Sequence, residues 1–141
     1  MLTAIVAVAL FALIVALIVA VARDAGPGPA DVAVAYEEAW DRLDFDALWT
    51  LSGAELRDGM GRREYAVAKR SAYAARPELG GLASAVVVDG VDATGDAAVV
   101  RTRLVLADGD DTRNELQLAR RSERWVVVGY RMLGSAESPL R

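Results

Sequence analysis

Carboxylates and tyrosines are the side chains of this 141-residue chain that could carry out acid–base chemistry, because it contains no histidine and no cysteine. Without cysteine there is no disulfide, no thiolate metal site and no cysteine nucleophile. Without histidine, the usual general base and the usual transition-metal ligand are also missing. We therefore predict that the protein uses neither a metal nor a cofactor.

Four residues are candidates for acid–base chemistry: Asp46, Asp89, Tyr36 and Tyr65. Asp46 lies near an exposed helix start, which favours a solvated carboxylate. Asp89 lies in a strand beside Gly90, which suggests a bulge and leaves its direction open. An inward tyrosine is usually a core residue with one hydrogen bond. Since the sequence places no two of these residues together, we assign no catalytic residue and favour a protein that is not an enzyme.

Two other motifs do not indicate a ligand site. Gly80 and Gly81 precede a strand, and no phosphate-binding helix follows them. The run from Asp108 to Asp111 resembles part of a calcium loop, but Ala119 stands where the twelfth-position glutamate is required. Asp-Gly between two strand-like runs instead indicates a hairpin turn. The net charge of −4 also argues against general nucleic-acid binding.

An apolar segment opens the chain. Residues 2–22 carry no charge, and as a helix they would be about 31 Å long, close to the ~30 Å hydrocarbon core of a bilayer. We predict one spanning helix, residues 1–22, that anchors the chain in the cell membrane. The alternative is a signal peptide cleaved after Ala22, which would release a secreted domain, although no basic residue precedes the segment. Arg23 after the segment favours a cytoplasmic position for the domain.

A Pro/Gly linker, residues 23–30, precedes a helical region. Asp31 is expected to cap a first helix with an apolar face, and Asp44 a short second one. Ser52 and Glu55 form a capping-box pattern for one more turn. A further helix is predicted over residues 62–75, ending before Pro77.

Four valine-rich segments follow, at residues 84–92, 97–107, 112–121 and 125–133. Their turns are too short for crossover helices, so the strands should form an antiparallel meander. Helices first and strands after predict an α+β domain over residues 31–133, with about three helices packed on a four-stranded sheet. Residues 134–141 would form a C-terminal tail.

Alternating polarity predicts which side chains face the helices. The inward set of the second and third strands is Ala98, Val100, Thr102, Leu104, Leu106, Leu116 and Leu118. Both strands can point this set inward only if the turn between them has an odd length. A three-residue loop at residues 108–110 would then place Arg103 opposite Glu115, and Arg101 opposite Gln117, on the outer face.

Three local patterns resemble the nuclear transport factor 2-like superfamily, which includes SnoaL-like cyclases, ketosteroid isomerase and scytalone dehydratase. They are the run from Ala35 to Trp49 (AYEEAWDRLDFDALW), the hairpin at residues 91–100 (VDATGDAAVV) and the closing run at residues 121–128 (RSERWVVV). Together they cover nearly all of residues 31–133. The resemblance implies a cone-shaped α+β domain whose interior holds a ligand or, in the enzymes, a catalytic Asp, His or Tyr.

We predict from these features a membrane-anchored small binding or protein-interaction module. Its cone would hold a small apolar ligand, lined by the candidate pocket residues Tyr36, Trp40, Trp49 and Tyr65. The alternative is an isomerase- or cyclase-class enzyme, which would be recognised by an inward carboxylate of raised pKa beside a tyrosine.

Two surfaces could contact partners. A basic stripe on the helix after Gly61 could rest on the lipid bilayer; it consists of Arg62, Arg63, Lys69, Arg70 and Arg76. The opposite side of this helix is expected to pack on the sheet through Tyr65, Ala68, Ala72 and Ala75. The alternative is a solvated helix face whose cations pair with acidic residues.

The outer sheet face is the second surface. Residues 125–128 of the last strand are apolar at both inward and outward positions, so the outer face could form the interface of a homodimer. The alternative is that the C-terminal tail covers this face.

Overall fold

The computed structural model describes residue 6, residues 10–17 and residues 26–135. The predicted spanning helix therefore lies largely outside the described residues, as does most of the predicted tail. Residues 10–17 are helical and exposed. Among the described residues, no helix is long and apolar enough to cross a membrane.

Within residues 26–135, three α-helices precede four strands. The helices are α1 (Pro29–Asp41), α2 (Phe45–Leu51) and α3 (Arg62–Tyr73), with 3₁₀ turns at Ala54–Leu56 and Pro77–Leu79. The strands are β1 (Ala83–Thr94), β2 (Ala97–Leu106), β3 (Asp111–Arg121) and β4 (Arg124–Gly134). They pair antiparallel in the order β1-β2-β3-β4. The predicted α+β class, the helix number and the antiparallel meander are confirmed.

The helix caps differ from the prediction at two of three positions. Asp44 caps α2 as predicted, accepting a hydrogen bond from the Ala47 N–H. Helix α1 begins earlier, because Pro29 occupies its first turn and Gly28 is the N-cap, and Asp31 instead accepts the Gly28 N–H from inside the helix. The predicted capping box at Ser52 is wrong, since the Ser52 hydroxyl donates back to the Leu48 carbonyl.

The inward alternation of β2 and β3 is confirmed, but the register is shifted. Arg101 lies opposite Glu115, and Arg103 opposite Arg113. The loop does have three residues, but it spans residues 107–109, because Leu106 and Asp110 close it with a hydrogen bond. Gly109 thereby occupies the third loop position with φ +93°, a left-handed conformation that glycine adopts without strain.

The outer sheet face carries a chain of ion pairs across all four strands. Asp92 pairs with Arg101 at 3.0 Å, Arg101 with Glu115 at 3.8 Å, and Glu115 with Arg131 at 2.8 Å. Asp89 lies at the register shift before Gly90, so the suggested bulge is confirmed, and its carboxylate pairs with Arg103. Both Asp89 and Arg103 are therefore outside the cone.

The core lies between the helices and the inner sheet face. Its fully buried large residues include Leu48 from α2, Val100 from β2, Leu116 from β3 and Val127 from β4. Hydrogen bonding between Gly53 and Val127, beside the parallel Ser52–Val127 bridge, covers the free edge of β4. A cavity lies beside this core, between the helices and the inner sheet face.

Candidate functional site

A cavity of about 570 Å³ opens between α1, α3 and the inner sheet face. Its walls are mainly apolar and aromatic, with Trp40 from α1, Tyr73 from α3, and Leu104 and Leu106 from β2 among them. Leu82 and Met132, which also line it, are exposed and mark its rim. This size and lining are typical of a site for a small molecule.

A buried carboxylate lies at the inner end of the cavity. Glu37 of α1 lines it but is only 1% exposed. Its Oε1 accepts hydrogen bonds from the Thr102 hydroxyl at 2.6 Å and from the Asn114 amide at 3.0 Å. Its Oε2 accepts from the Tyr130 hydroxyl at 3.3 Å. We call these four residues the Glu37 cluster.

Three strands supply the partners of Glu37. Thr102 and Asn114 are directly opposite in the β2–β3 register, so both side chains emerge at the same point of the inner face. Tyr130 comes from β4 and lies opposite the buried Leu116, so it shares the inner face; a register shift separates this pair from Leu118 and Val127. The cluster therefore ties α1 to β2, β3 and β4 through one side chain.

Burial raises the pKa of Glu37, because a carboxylate loses hydration there, and the three hydrogen bonds oppose the shift in part. Burial and the nearby Glu37 charge likewise raise the pKa of Tyr130. Burial also raises the pKa of Tyr65 to about 12, so Tyr65 remains protonated at neutral pH.

The Glu37 cluster has unused hydrogen-bonding capacity. Within the described part of the chain, the buried Oδ1 of Asn114 has no hydrogen-bond partner. The Tyr130 oxygen donates its proton to Glu37, so its lone pairs can still accept. A buried unpaired acceptor costs about 1–3 kcal/mol. The cluster therefore favours a ligand that brings a hydrogen-bond donor.

Three of the four residues predicted to line a pocket do line this cavity: Tyr36, Trp40 and Tyr65. Trp49 lies outside it. The Trp49 indole N–H donates to the Met60 carbonyl at 3.0 Å, and the Arg57 guanidinium stacks 3.7 Å from the ring centroid. Trp49 therefore fastens α2 to the loop before α3.

The residues of the predicted basic stripe do not share one environment. Lys69 is turned into the cavity, 29% exposed, and its ammonium lies 3.3 Å from Asp58 and over the Tyr65 ring. Arg62 and Arg70 both pair with Asp46, and Arg76 pairs with Glu78. Arg63 is exposed.

The packed side of α3 also differs from the prediction. Tyr65 and Ala66 are buried and Tyr73 packs against the core, whereas Ala68, Ala72 and Ala75 are exposed. The two tyrosine rings offer far more apolar area to bury than the alanine methyl groups do, so they determine which face of α3 packs against the core.

Sequence reasoning missed the Glu37 cluster. Its signal was present in two places. Thr102 and Asn114 are polar residues at inward positions of otherwise apolar alternations, which indicates a polar feature inside the domain. Glu37 lies one helical turn after Ala33 and next to Tyr36, within the buried arc of α1.

No protein-family model and no curated protein matches the chain. Solved structures do. A putative NTF2-like transpeptidase from Campylobacter jejuni aligns with a TM-score of 0.55 and 15% identity, over 72% of this chain and 97% of its own. An NTF-2 like protein of unknown function from Shewanella oneidensis MR-1 aligns with a TM-score of 0.49 and 24% identity, over 72% and 92%.

A further NTF-2 like protein of unknown function, from Silicibacter pomeroyi DSS-3, aligns with a TM-score of 0.48 and 18% identity, over 72% of this chain and 89% of its own. At these identities the likeness concerns the fold, which hosts many unrelated functions. The Campylobacter jejuni alignment thus shows that the chain is similar in fold to an NTF2-like protein, in agreement with the resemblance seen in the sequence.

Proposed function

We propose that this protein is a membrane-anchored binding domain for a small, mainly apolar molecule whose polar end contacts the Glu37 cluster. The observation that carries the proposal is a cavity of about 570 Å³ with aromatic walls and one fully buried carboxylate at its inner end. Apolar walls supply affinity, and a few fixed polar groups supply orientation.

A neutral fluorescent probe tests whether the cavity binds small molecules. N-phenyl-1-naphthylamine, whose nitrogen stays unprotonated at neutral pH, should gain fluorescence with the full chain. Leu104 lines the cavity, whereas the neighbouring Val105 points to the outer face. Leu104→Trp should therefore reduce the fluorescence gain strongly, while Val105→Trp should leave it unchanged. Equal binding by both variants would contradict the proposal.

Anchoring by residues 1–22 is part of the proposal and is supported by the length and apolarity of that segment. An anchored chain stays in the membrane pellet after alkaline carbonate washing and retains its original N-terminus. Recovery of the domain in the medium, with Arg23 as its first residue, would instead support the secreted alternative.

Proton-transfer catalysis is the second candidate function. It is favoured by the raised pKa of Glu37 together with the Tyr130 hydroxyl 3.3 Å from Glu37 Oε2. Against it, Oε1 is already engaged by two donors. Exchange of α-protons of cyclohexenones for deuterium, followed by NMR, tests this candidate. Catalysis requires exchange that Glu37→Gln abolishes.

A further inference from the structure

We propose that the ligand of this cavity is a primary amine: a protonated amino group bound at the Glu37 cluster and an apolar body packed against the aromatic walls. This inference rests on the proposed binding function and names its ligand class. It is carried by the hydrogen-bonding capacity of the cluster, the charge of the cavity and its aromatic lining.

The unused polar capacity of the cluster consists of acceptors. The Tyr130 proton is directed at Glu37, which leaves the lone pairs of its oxygen. The Oδ1 atom of Asn114, itself 1% exposed, has no hydrogen-bond partner within residues 26–135. Glu37 Oε2 accepts one hydrogen bond at the long distance of 3.3 Å. An ammonium group brings three donors and no acceptor, so it complements a cluster whose unused groups are acceptors.

The charge of the cavity also favours a cation. Four carboxylates line it, those of Glu37, Asp41, Glu55 and Asp58, together with one ammonium, that of Lys69. Glu55 is neutralised by Arg121 and Asp58 by Lys69. In the described part of the chain, Glu37 and Asp41 have no salt-bridge partner, and Asp41 accepts only the N–H groups of Leu82 and Ala83. Both acidic groups therefore lack a basic partner there, and a positive ligand would supply one.

Aromatic side chains surround the path from the rim to Glu37. The rings that line the cavity are those of Tyr36, Trp40, Tyr65, Tyr73 and Tyr130. Faces of such rings attract cations and bury apolar groups. One of them already holds a cation, because the Lys69 ammonium lies 5.3 Å from the Tyr65 ring centroid. A bound ammonium also stabilises the ionised form of Glu37, whose pKa burial raises, so binding should release a proton.

Three probes with the same apolar body test the proposal. 4-Phenylbutylamine, 4-phenylbutan-1-ol and 4-phenylbutanoate are titrated by calorimetry into the full chain in nanodiscs of zwitterionic lipid, with empty nanodiscs as the blank. The amine should bind about tenfold or more tightly than the alcohol, and the carboxylate should bind least. Titration of the amine in two buffers of different ionisation enthalpy should show proton release on binding.

Variants of adjacent residues locate the effect. Glu37→Gln should bring the amine to the affinity of the alcohol, whereas Glu38→Gln, an exposed neighbour on α1, should leave the preference unchanged. If Glu37→Gln does not fold, the ranking of probes and the proton release of the unmodified chain decide. Equal or tighter binding of the alcohol would overturn the amine proposal and leave the binding function standing. Absence of binding by all three, together with no gain from N-phenyl-1-naphthylamine, would overturn both.

Discussion

Removal of the Thr102 hydroxyl should destabilise the protein by an amount that grows with pH. This hydroxyl donates to Glu37 Oε1 at 2.6 Å in a buried site. A hydrogen bond to a neutral partner contributes about 0.5–1.5 kcal/mol to stability, and one to a charged partner about 1.5–3 kcal/mol. Thr102→Val should therefore cost about 1 kcal/mol while Glu37 is protonated and about 2 kcal/mol once it is ionised.

The direction follows from the pKa of Glu37, which is higher in the folded protein than in the unfolded chain. The stability associated with its neutral form is fully present below the unfolded pKa and is lost as pH rises through the folded pKa. Loss of the Thr102 donor weakens the ionised form further. The folded pKa of Glu37 should then rise further, so the cost of the substitution grows as pH rises.

Equilibrium urea unfolding of the full chain in non-ionic detergent, from pH 5 to pH 9, measures this difference. All three tryptophans, Trp40, Trp49 and Trp125, lie within the domain and report its unfolding. Thr112→Val is the matched control, because Thr112 lines the same cavity without a hydrogen bond to Glu37. A cost of Thr102→Val that stays constant with pH, or that the control reproduces, would refute the reasoning.

Three further predictions concern the framework of the site. Gly109→Ala should lower the free energy of unfolding by about 1–2 kcal/mol, because φ is +93° there, and Gly109→Asn should lower it less, since asparagine tolerates this conformation; urea midpoints measure both. Leu48→Ala should cost about 2.7–5 kcal/mol by leaving a cavity in the core, against less than about 0.5 kcal/mol for the exposed Leu133→Ala. Trp49→Phe should lower the free energy of unfolding by about 0.5–1.5 kcal/mol, because it removes the hydrogen bond to the Met60 carbonyl. Binding of the fluorescent probe should stay unchanged, and altered binding would contradict the position of Trp49 outside the cavity.

The polarity pattern predicted which faces of the strands are buried, but it did not predict their register. The predicted alternation of inward and outward side chains holds for β2 and β3, because one face of each strand packs on the helices. The two-residue shift between strands arises from a turn constraint that polarity does not encode. The left-handed third position of the loop requires Gly109, so the loop begins at Ala107 and Arg101 meets Glu115.

The cavity residues were harder to predict than the strands, for two physical reasons. Large aromatic rings determine how α3 rotates, so Lys69 and Tyr73 turn inward although the charges of the helix indicated a basic outer stripe. Glu37 is buried through partners 65 and 77 residues away, Thr102 and Asn114. No local periodicity predicts that a carboxylate will find donors at such separations, and inward polar residues on two strands were the available signal.

Stability alone does not account for the Glu37 cluster. Placing a carboxylate between a helix and a sheet removes it from water, and well-packed apolar residues in such a place are often as stable or more so. Three donors compensate Glu37, yet among residues 26–135 the Asn114 oxygen has no hydrogen-bond partner and the tyrosine oxygen can still accept. A purely structural network would be expected to satisfy its own members. A polar network with acceptors to spare, at the inner end of an aromatic cavity, is suited to the donor group of a ligand.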